Sequence, residues 1–338
     1  MDELEQKISW RGMGASFLIL AVIFLASVLG GLNKETNQLM EATNRSQSNM
    51  LASLAENMGR NNKASAENTQ SKEPEKPKFN EELLPLRDWS VPYFESAAKA
   101  GVVTDIRTGK ILYQKNLNER LPIASVTKLM TADVVMDNVD MSGVVEVSKK
   151  AVSAEGDYGN LSVGEKLVAK DLLYILLVPS SNDAAFAFAD HMASSGKDLV
   201  SMMNQKAAEL GLKDTHFVNP AGLDDPKHYS SAYDVAKILG DLRKKADIWQ
   251  ILRTQTADVL SVDKKFTHKL ENTNKLLGTM DGIIGGKTGY TDNAKETLAM
   301  VVEVSGTELA FVVLGSDDRF ADMRSLIEWT KKAYKFTP

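Results

Sequence analysis

Pro122-Ile123-Ala124-Ser125-Val126-Thr127-Lys128-Leu129-Met130-Thr131-Ala132 is the stretch on which the reading of this chain turns. A serine and a lysine stand three residues apart at the head of an apolar run, behind a proline that favours the start of a helix. On a helix this spacing sets both side chains on one face, one turn apart. A serine hydroxyl attacks poorly until a base takes its proton, and an amine one turn away can be that base if it is largely neutral. Burial and a second cation both push a lysine that way, so the pair makes chemical sense only in a dry, partly basic cleft. Taken alone, the pair reads more simply as the polar first turn of a buried helix. About one such pair is expected by chance in a chain of this length. Ser194/Lys197 and Ser261/Lys264 repeat the spacing, the first broken by Gly196 and the second crowded with charge.

The 338 residues carry a net charge of −5 and ordinary apolar and charged fractions, which leaves no electrostatic footprint for nucleic acid. The absence of cysteine excludes disulfides, thiol nucleophiles and zinc–thiolate sites, and fits an exported protein. His191, His216, His228 and His268 show no metal-binding spacing and are read as ordinary polar residues. Residues 13–32 contain no charge; at about 1.5 Å per residue they reach about 30 Å, the thickness of a bilayer core. They predict a transmembrane signal anchor behind a short cytoplasmic N-terminus, residues 1–12, which carries Lys7 and Arg11. A cleaved signal peptide is the competing reading, and Asp2, Glu3 and Glu5 dilute the cationic start it would need. Residues 33–88 are rich in Asn, Gln, Ser, Glu and Lys. They cannot bury enough surface to offset their ordering entropy, which predicts a polar stalk and disordered tether. The folded domain is read as 89–338.

Within it, 98–104 and 110–113 read as a hairpin, 170–178 as an apolar helix, and 184–192, 198–212, 231–244 and 326–334 as further helices. Two more polar signals interrupt this pattern. Ser180-Ser181-Asn182-Asp183 follows Pro179 at a helix break; it reads as an N-cap, or as a hydroxyl and an amide projecting into a cleft. Gly285-Gly286-Lys287-Thr288-Gly289-Tyr290-Thr291 precedes two β-rich runs rather than a helix, unlike a phosphate loop. A strand edge bearing Lys and Thr, with Gly allowing close approach, suits an extended peptide and its terminal carboxylate.

Ser125-x-x-Lys128, Ser180-x-Asn182 and Lys287-Thr288-Gly289, in this order, resemble the three signature motifs of penicillin-binding proteins and serine β-lactamases. The words Pro179-Ser180-Ser181-Asn182-Asp183-Ala184-Ala185, Phe217-x-Asn219-Pro220-x-Gly222-Leu223, Asn272-Thr273-Asn274-Lys275-Leu276-Leu277 and Gly286-Lys287-Thr288-Gly289-Tyr290-Thr291 narrow the resemblance to the D-alanyl-D-alanine carboxypeptidases, peptidase family S11. It covers about residues 95–335. The resemblance implies a mixed α/β domain, a mainly antiparallel sheet with helices on both faces, and an active site between the sheet edge and the helical region. It implies Ser125 as nucleophile on a D-Ala-D-Ala carbonyl, Lys128 as base and Ser180 as proton relay. Asn182 would hold the substrate amide, and Lys287 and Thr288 would attract its terminal carboxylate. Gly289 leads into Tyr290, whose N–H joins that of Ser125 as the oxyanion hole. No metal or other cofactor is required. The implied partners are peptidoglycan stem peptides and, as covalent inhibitors, β-lactams, met outside the cytoplasmic membrane.

This sequence departs from the family pattern where Ala294 is followed by Lys295-Glu296 rather than by glycine. Rival readings are a D,D-endopeptidase or transpeptidase on the same residues, a class A β-lactamase, or a catalytically silent wall-binding protein. The β-lactamase would need a Glu-x-x-Leu-Asn stretch after Asn182, which is missing. The silent protein would have lost a motif residue, and none is lost.

Overall fold

The run from 295 to 316 carries the alternation that builds the sheet. Leu298, Met300 and Val302 fall on one face, and Ala299 and Val301 on the other; all are buried, as period-two strands covered on both sides require. The structure is a computed structural model that describes residues 85–156 and 159–336. The segments 1–12 and 13–32, and the tether as far as residue 84, lie outside the described residues. Among the described residues no helix is long and apolar enough to cross a membrane.

The elements are β1 (Leu86–Arg87), β2 (Ala100–Asp105), β3 (Ile111–Lys115), a 3₁₀ turn (Ala124–Thr127), α1 (Lys128–Asn138), β4 (Val144–Glu146), α2 (Lys149–Val152), β5 (Lys166–Val168), α3 (Ala169–Leu177), α4 (Asn182–Ser194), α5 (Leu199–Glu209), α6 (Ala232–Leu242), α7 (Ala246–Leu252), β6 (Thr256–Leu260), β7 (Thr267–Glu271), β8 (Ile283–Thr291), β9 (Lys295–Val304), β10 (Thr307–Ser316), α8 (Arg319–Ala333) and β11 (Tyr334–Lys335). Five strands pair antiparallel in the order β3-β2-β10-β9-β8, so β8, which carries Lys287-Thr288-Gly289, is an edge strand as expected. One sheet face packs α8 through Met323, Leu326 and Ile327; the other packs the helical region through Val102, Val301, Ala310 and Val312. The mixed α/β fold with an antiparallel sheet and helices on both faces is therefore observed.

Two boundaries differ from the expected ones, and two features are additional. The fold starts before residue 89, because β1 pairs with β11 and Arg87 donates to Val91 O (2.6 Å) and Ala333 O (3.2 Å) while stacking on Trp89, Trp329 and Tyr334. Helix α8 begins at Arg319 rather than 326, since Asp318 caps it by accepting from the N–H groups of Phe320 and Ala321; the polar first turn hid this start. Finally, α7 and the β6–β7 hairpin had no sequence expectation. Trp329 is buried and donates to Pro92 O (2.8 Å).

The helix behind the serine is held by a buried ion cluster. Asp133 of α1 is fully buried, and burial pushes its carboxyl up from the usual range. Lys245 at 2.5 Å and Lys206 at 3.6 Å compensate its charge, tying α1 to α5 and to the start of α7. Such a pair is costly to break from one side.

Candidate active site

The sequence places Ser125 and Lys128 on one helix; the structure places them on either side of a helix start. Ser125 lies in the 3₁₀ turn and Lys128 opens α1. A 3₁₀ helix has three residues per turn, so positions i and i+3 eclipse more closely than on an α-helix. The result is a direct contact: Lys128 Nζ donates to Ser125 Oγ at 2.6 Å. Serine and lysine are both buried, at 8% and 0% exposure.

Two other segments complete the environment of the amine. Lys128 Nζ also donates to Asn182 Oδ1 (2.7 Å) and to the carbonyl of Ala221 (3.0 Å). Asn182 opens α4, and its Nδ2 donates to Glu155 O (2.7 Å). The N-cap reading of 180–183 holds, on Ser181, which accepts from Ala184 N–H (3.0 Å), while Asn182 faces the lysine. Ser180 is buried and sits at φ +71°, the left-handed conformation that turns the chain between α3 and α4.

Ala221 belongs to a loop organised by one side chain. Asn219 Oδ1 accepts from the N–H groups of Ala221, Gly222 and Leu223 (3.1, 2.7 and 3.0 Å), which aims the Ala221 carbonyl at Lys128. Gly222, at φ +87°, presses on the serine turn: a Cβ there would lie 1.9 Å from Ala124 O. Ala124 itself adopts φ +47°, which costs a residue with a side chain about 1–2 kcal/mol. In the sequence this loop stands out only as the family word Phe217-x-Asn219-Pro220-x-Gly222-Leu223. Residues whose backbone, not side chain, serves the site leave only Asn and Gly as signals.

Strand β8 forms the opposite wall. Lys287 and Thr288 are buried, and Lys287 Nζ donates to Thr288 O (3.0 Å). The hydroxyls of Thr288 and Thr273 meet at 2.5 Å. Gly289 is needed for close approach, since a Cβ would lie 2.5 Å from Thr297 Oγ1 and 2.8 Å from the backbone N of Ser125. Arg319 donates to Gly289 O at 2.6 Å. Tyr290 is 56% exposed. The eight expected site residues fall on three segments, joined by the Lys128–Asn182 hydrogen bond and by the approach of Gly289 to the Ser125 backbone. The two decoy pairs do not: Ser194 Oγ donates to His191 O and Ser261 Oγ to Asp263.

Thr127, between serine and lysine, meets a buried histidine: Thr127 Oγ1 and His228 Nε2 lie 2.8 Å apart, and Val218 N–H donates to His228 Nδ1 (3.2 Å). That pattern requires a neutral ring with its proton on Nε2. Burial pushes the His228 pKa down to about 4; Asp225 and Asp224 oppose the shift, and His216 adds to it. Because the folded value lies below the unfolded one, native stability is full above about pH 6.5. It falls by about 3 kcal/mol as pH drops to 4. Urea midpoints at pH 7 and pH 4.5 should therefore differ less for His228→Gln than for the parent; equal differences would remove His228 from the acid response.

The family model described as D-alanyl-D-alanine carboxypeptidase matches residues 88–318. Among curated proteins, the chain is 39% identical over 251 residues to the D-alanyl-D-alanine carboxypeptidase DacF of Bacillus subtilis, covering 71% of this chain and 64% of that protein, just under two thirds. It is 33% identical over 241 residues to a D-alanyl-D-alanine endopeptidase of Pseudomonas aeruginosa, covering 70% and 77%. Among solved structures, the Streptomyces K15 DD-transpeptidase superposes with a TM-score of 0.66 at 30% identity, covering 71% of this chain and 99% of that one.

Proposed function

We propose, from the premise that the chain belongs to the D-alanyl-D-alanine carboxypeptidase family, that it is a serine-type D,D-carboxypeptidase acting on peptidoglycan stem peptides. The observation that carries the reading is the 2.6 Å hydrogen bond from the fully buried Lys128 amine to Ser125 Oγ.

In its neutral form Lys128 takes the Ser125 proton as Oγ attacks the carbonyl of the penultimate D-alanine. Asn182 Oδ1 and the Ala221 carbonyl orient the amine. One Asn182 Nδ2 hydrogen is engaged with Glu155 O, which leaves the other for the substrate amide. The N–H groups of Ser125 and Tyr290 stabilise the oxyanion; the close approach of Gly289 to the Ser125 nitrogen supports that pairing. Lys287 and Thr288 receive the terminal carboxylate. Ser180 passes a proton to the departing D-alanine nitrogen as the carbon–nitrogen bond breaks, and water then cleaves the Ser125 ester. β-Lactams acylate the same oxygen. Residues 13–32 anchor the protein in the cytoplasmic membrane with the catalytic domain outside; their uncharged length supports this.

The test is full-length protein incubated with a fluorescent penicillin, with and without Ser125→Ala, followed by mass spectrometry. A lasting adduct on Ser125 that the variant lacks is the expected result. An adduct lost within seconds would favour a β-lactamase, and none on folded protein would overturn the reading.

A further inference from the structure

The serine turn is gripped from two sides by segments distant in the chain. On one side, loop 219–224 meets it at Gly222, whose Cβ would lie 1.9 Å from Ala124 O and 2.8 Å from Thr127 Oγ1. On the other, a Cβ on Gly289 of β8 would lie 2.8 Å from the Ser125 nitrogen, and Thr297 Oγ1 of β9 donates to Ile123 O (3.2 Å). Past the turn the two sides meet at one carboxylate. Asp224 Oδ1 accepts from Thr291 Oγ1 (2.7 Å), and Oδ2 from the N–H of Asn293 (3.4 Å). Thr291 Oγ1 accepts in turn from Ala294 N–H (3.0 Å). The hydroxyl thus directs its one proton to Asp224 and a lone pair to the β8–β9 turn.

Asp224 is exposed and Thr291 half-buried. A hydrogen bond in contact with solvent replaces a water contact and contributes little to global stability, so the consequence of this one lies in what it aligns. In the function proposed above, on which this inference rests, the oxyanion is held by the N–H groups of Ser125 and Tyr290. Ser125 sits on the gripped turn, and Tyr290 directly precedes Thr291 at the end of β8. Among the described residues β8 is an edge strand with β9 as its one sheet neighbour, so a single ladder of hydrogen bonds holds its end. Oxyanion donors act only when both stand about 3 Å from the developing charge, and a misplacement of about 1 Å can cost about 100-fold in rate. The transition state feels that spacing, whereas substrate binding rests on Lys287, Thr288 and Asn182.

We propose that Asp224 is a positioning residue for acylation: latched to Thr291, it closes the grip on the serine turn and sets the separation of the two oxyanion donors. It acts through Thr291 and Tyr290 rather than on the substrate. The feature it supplies is an acceptor oxygen, because negative charge near a developing oxyanion by itself opposes the reaction.

The experiment uses the full chain and stopped-flow acylation by a fluorescent penicillin, resolving the limiting rate from the dissociation constant. Asp224→Ala and Thr291→Val each remove one half of the latch. Each is expected to lower the limiting rate by about tenfold or more, with the dissociation constant within about threefold of the parent and Tm within about 2 °C. The double variant is expected to be no slower than the slower single, because the two residues share one contact. Asp224→Asn keeps an acceptor for Thr291 and is expected to stay within about threefold of the parent. An unchanged rate in Asp224→Ala, additive losses in the double variant, an asparagine variant as slow as alanine, or rates that fall in step with Tm would each overturn the assignment. A parent that forms no adduct on Ser125 would instead overturn the D,D-peptidase reading beneath it.

Discussion

Lys128→Met will lower the second-order rate of penicillin acylation by about 10⁴-fold or more while leaving the protein folded. The methionine keeps the length of the side chain and its apolar contacts but removes the amine that lies 2.6 Å from Ser125 Oγ and can take its proton. It also strands Asn182 Oδ1 and the Ala221 carbonyl without their donor, so a loss of about 1–3 kcal/mol in stability accompanies it. The informative partner is Lys128→Arg. A guanidinium preserves positive charge and hydrogen bonding but cannot give up a proton in this range. If Lys128 acts as a base, the arginine variant is as inactive as methionine; if it only stabilises negative charge, arginine retains activity within about tenfold. Stopped-flow acylation with a fluorescent penicillin separates the two, and a functional arginine variant would sink the base assignment.

Gly222→Ala should be the most damaging single methyl group that can be added near the site. The residue is held at φ +87°, and its Cβ would fall 1.9 Å from Ala124 O, a backbone atom that cannot swing aside. Displacing that carbonyl moves the turn that carries Ser125. A cost of about 3 kcal/mol or more is expected, which corresponds to a Tm lower by about 6–12 °C in a domain of this size. Acylation falls with it, because the Ala221 carbonyl next door holds Lys128. Gly109→Ala is the control: it too has a positive φ, +72°, but its Cβ meets nothing within 4 Å, so only the conformational cost of about 1–2 kcal/mol applies. Similar melting temperatures for the two variants would show that the contact with Ala124 relaxes easily, and that Gly222 does not brace the nucleophile.

Much of this site was legible without coordinates. The three motifs name every expected side chain, and the β-rich runs that follow the glycine-rich stretch 285–291 suggested a strand edge for Lys287. The hairpin at 100–115 and the helices α3 to α6 were also within reach, because each has its own apolar period or break residue. The sequence missed what has no local period. Helix α7 is seven residues long with no side-chain cap, and the β6–β7 hairpin turns through six mostly charged or exposed residues; both are stabilised by contacts with distant segments.

What the sequence by itself determined is the inventory of chemistry: which serine, which amine, which amide, and the strand that faces them. Only the tertiary structure decided how these groups are held. The Lys128 amine takes one partner three residues away, one 54 residues away and one 93 residues away. The last is a backbone carbonyl, which every residue possesses and no residue advertises. The same holds for the latch between Asp224 and Thr291, which stand 67 residues apart. Short-range patterns record the local preferences of a chain, whereas a site assembled by packing draws on backbone groups and close approaches that become specific only when the segments meet.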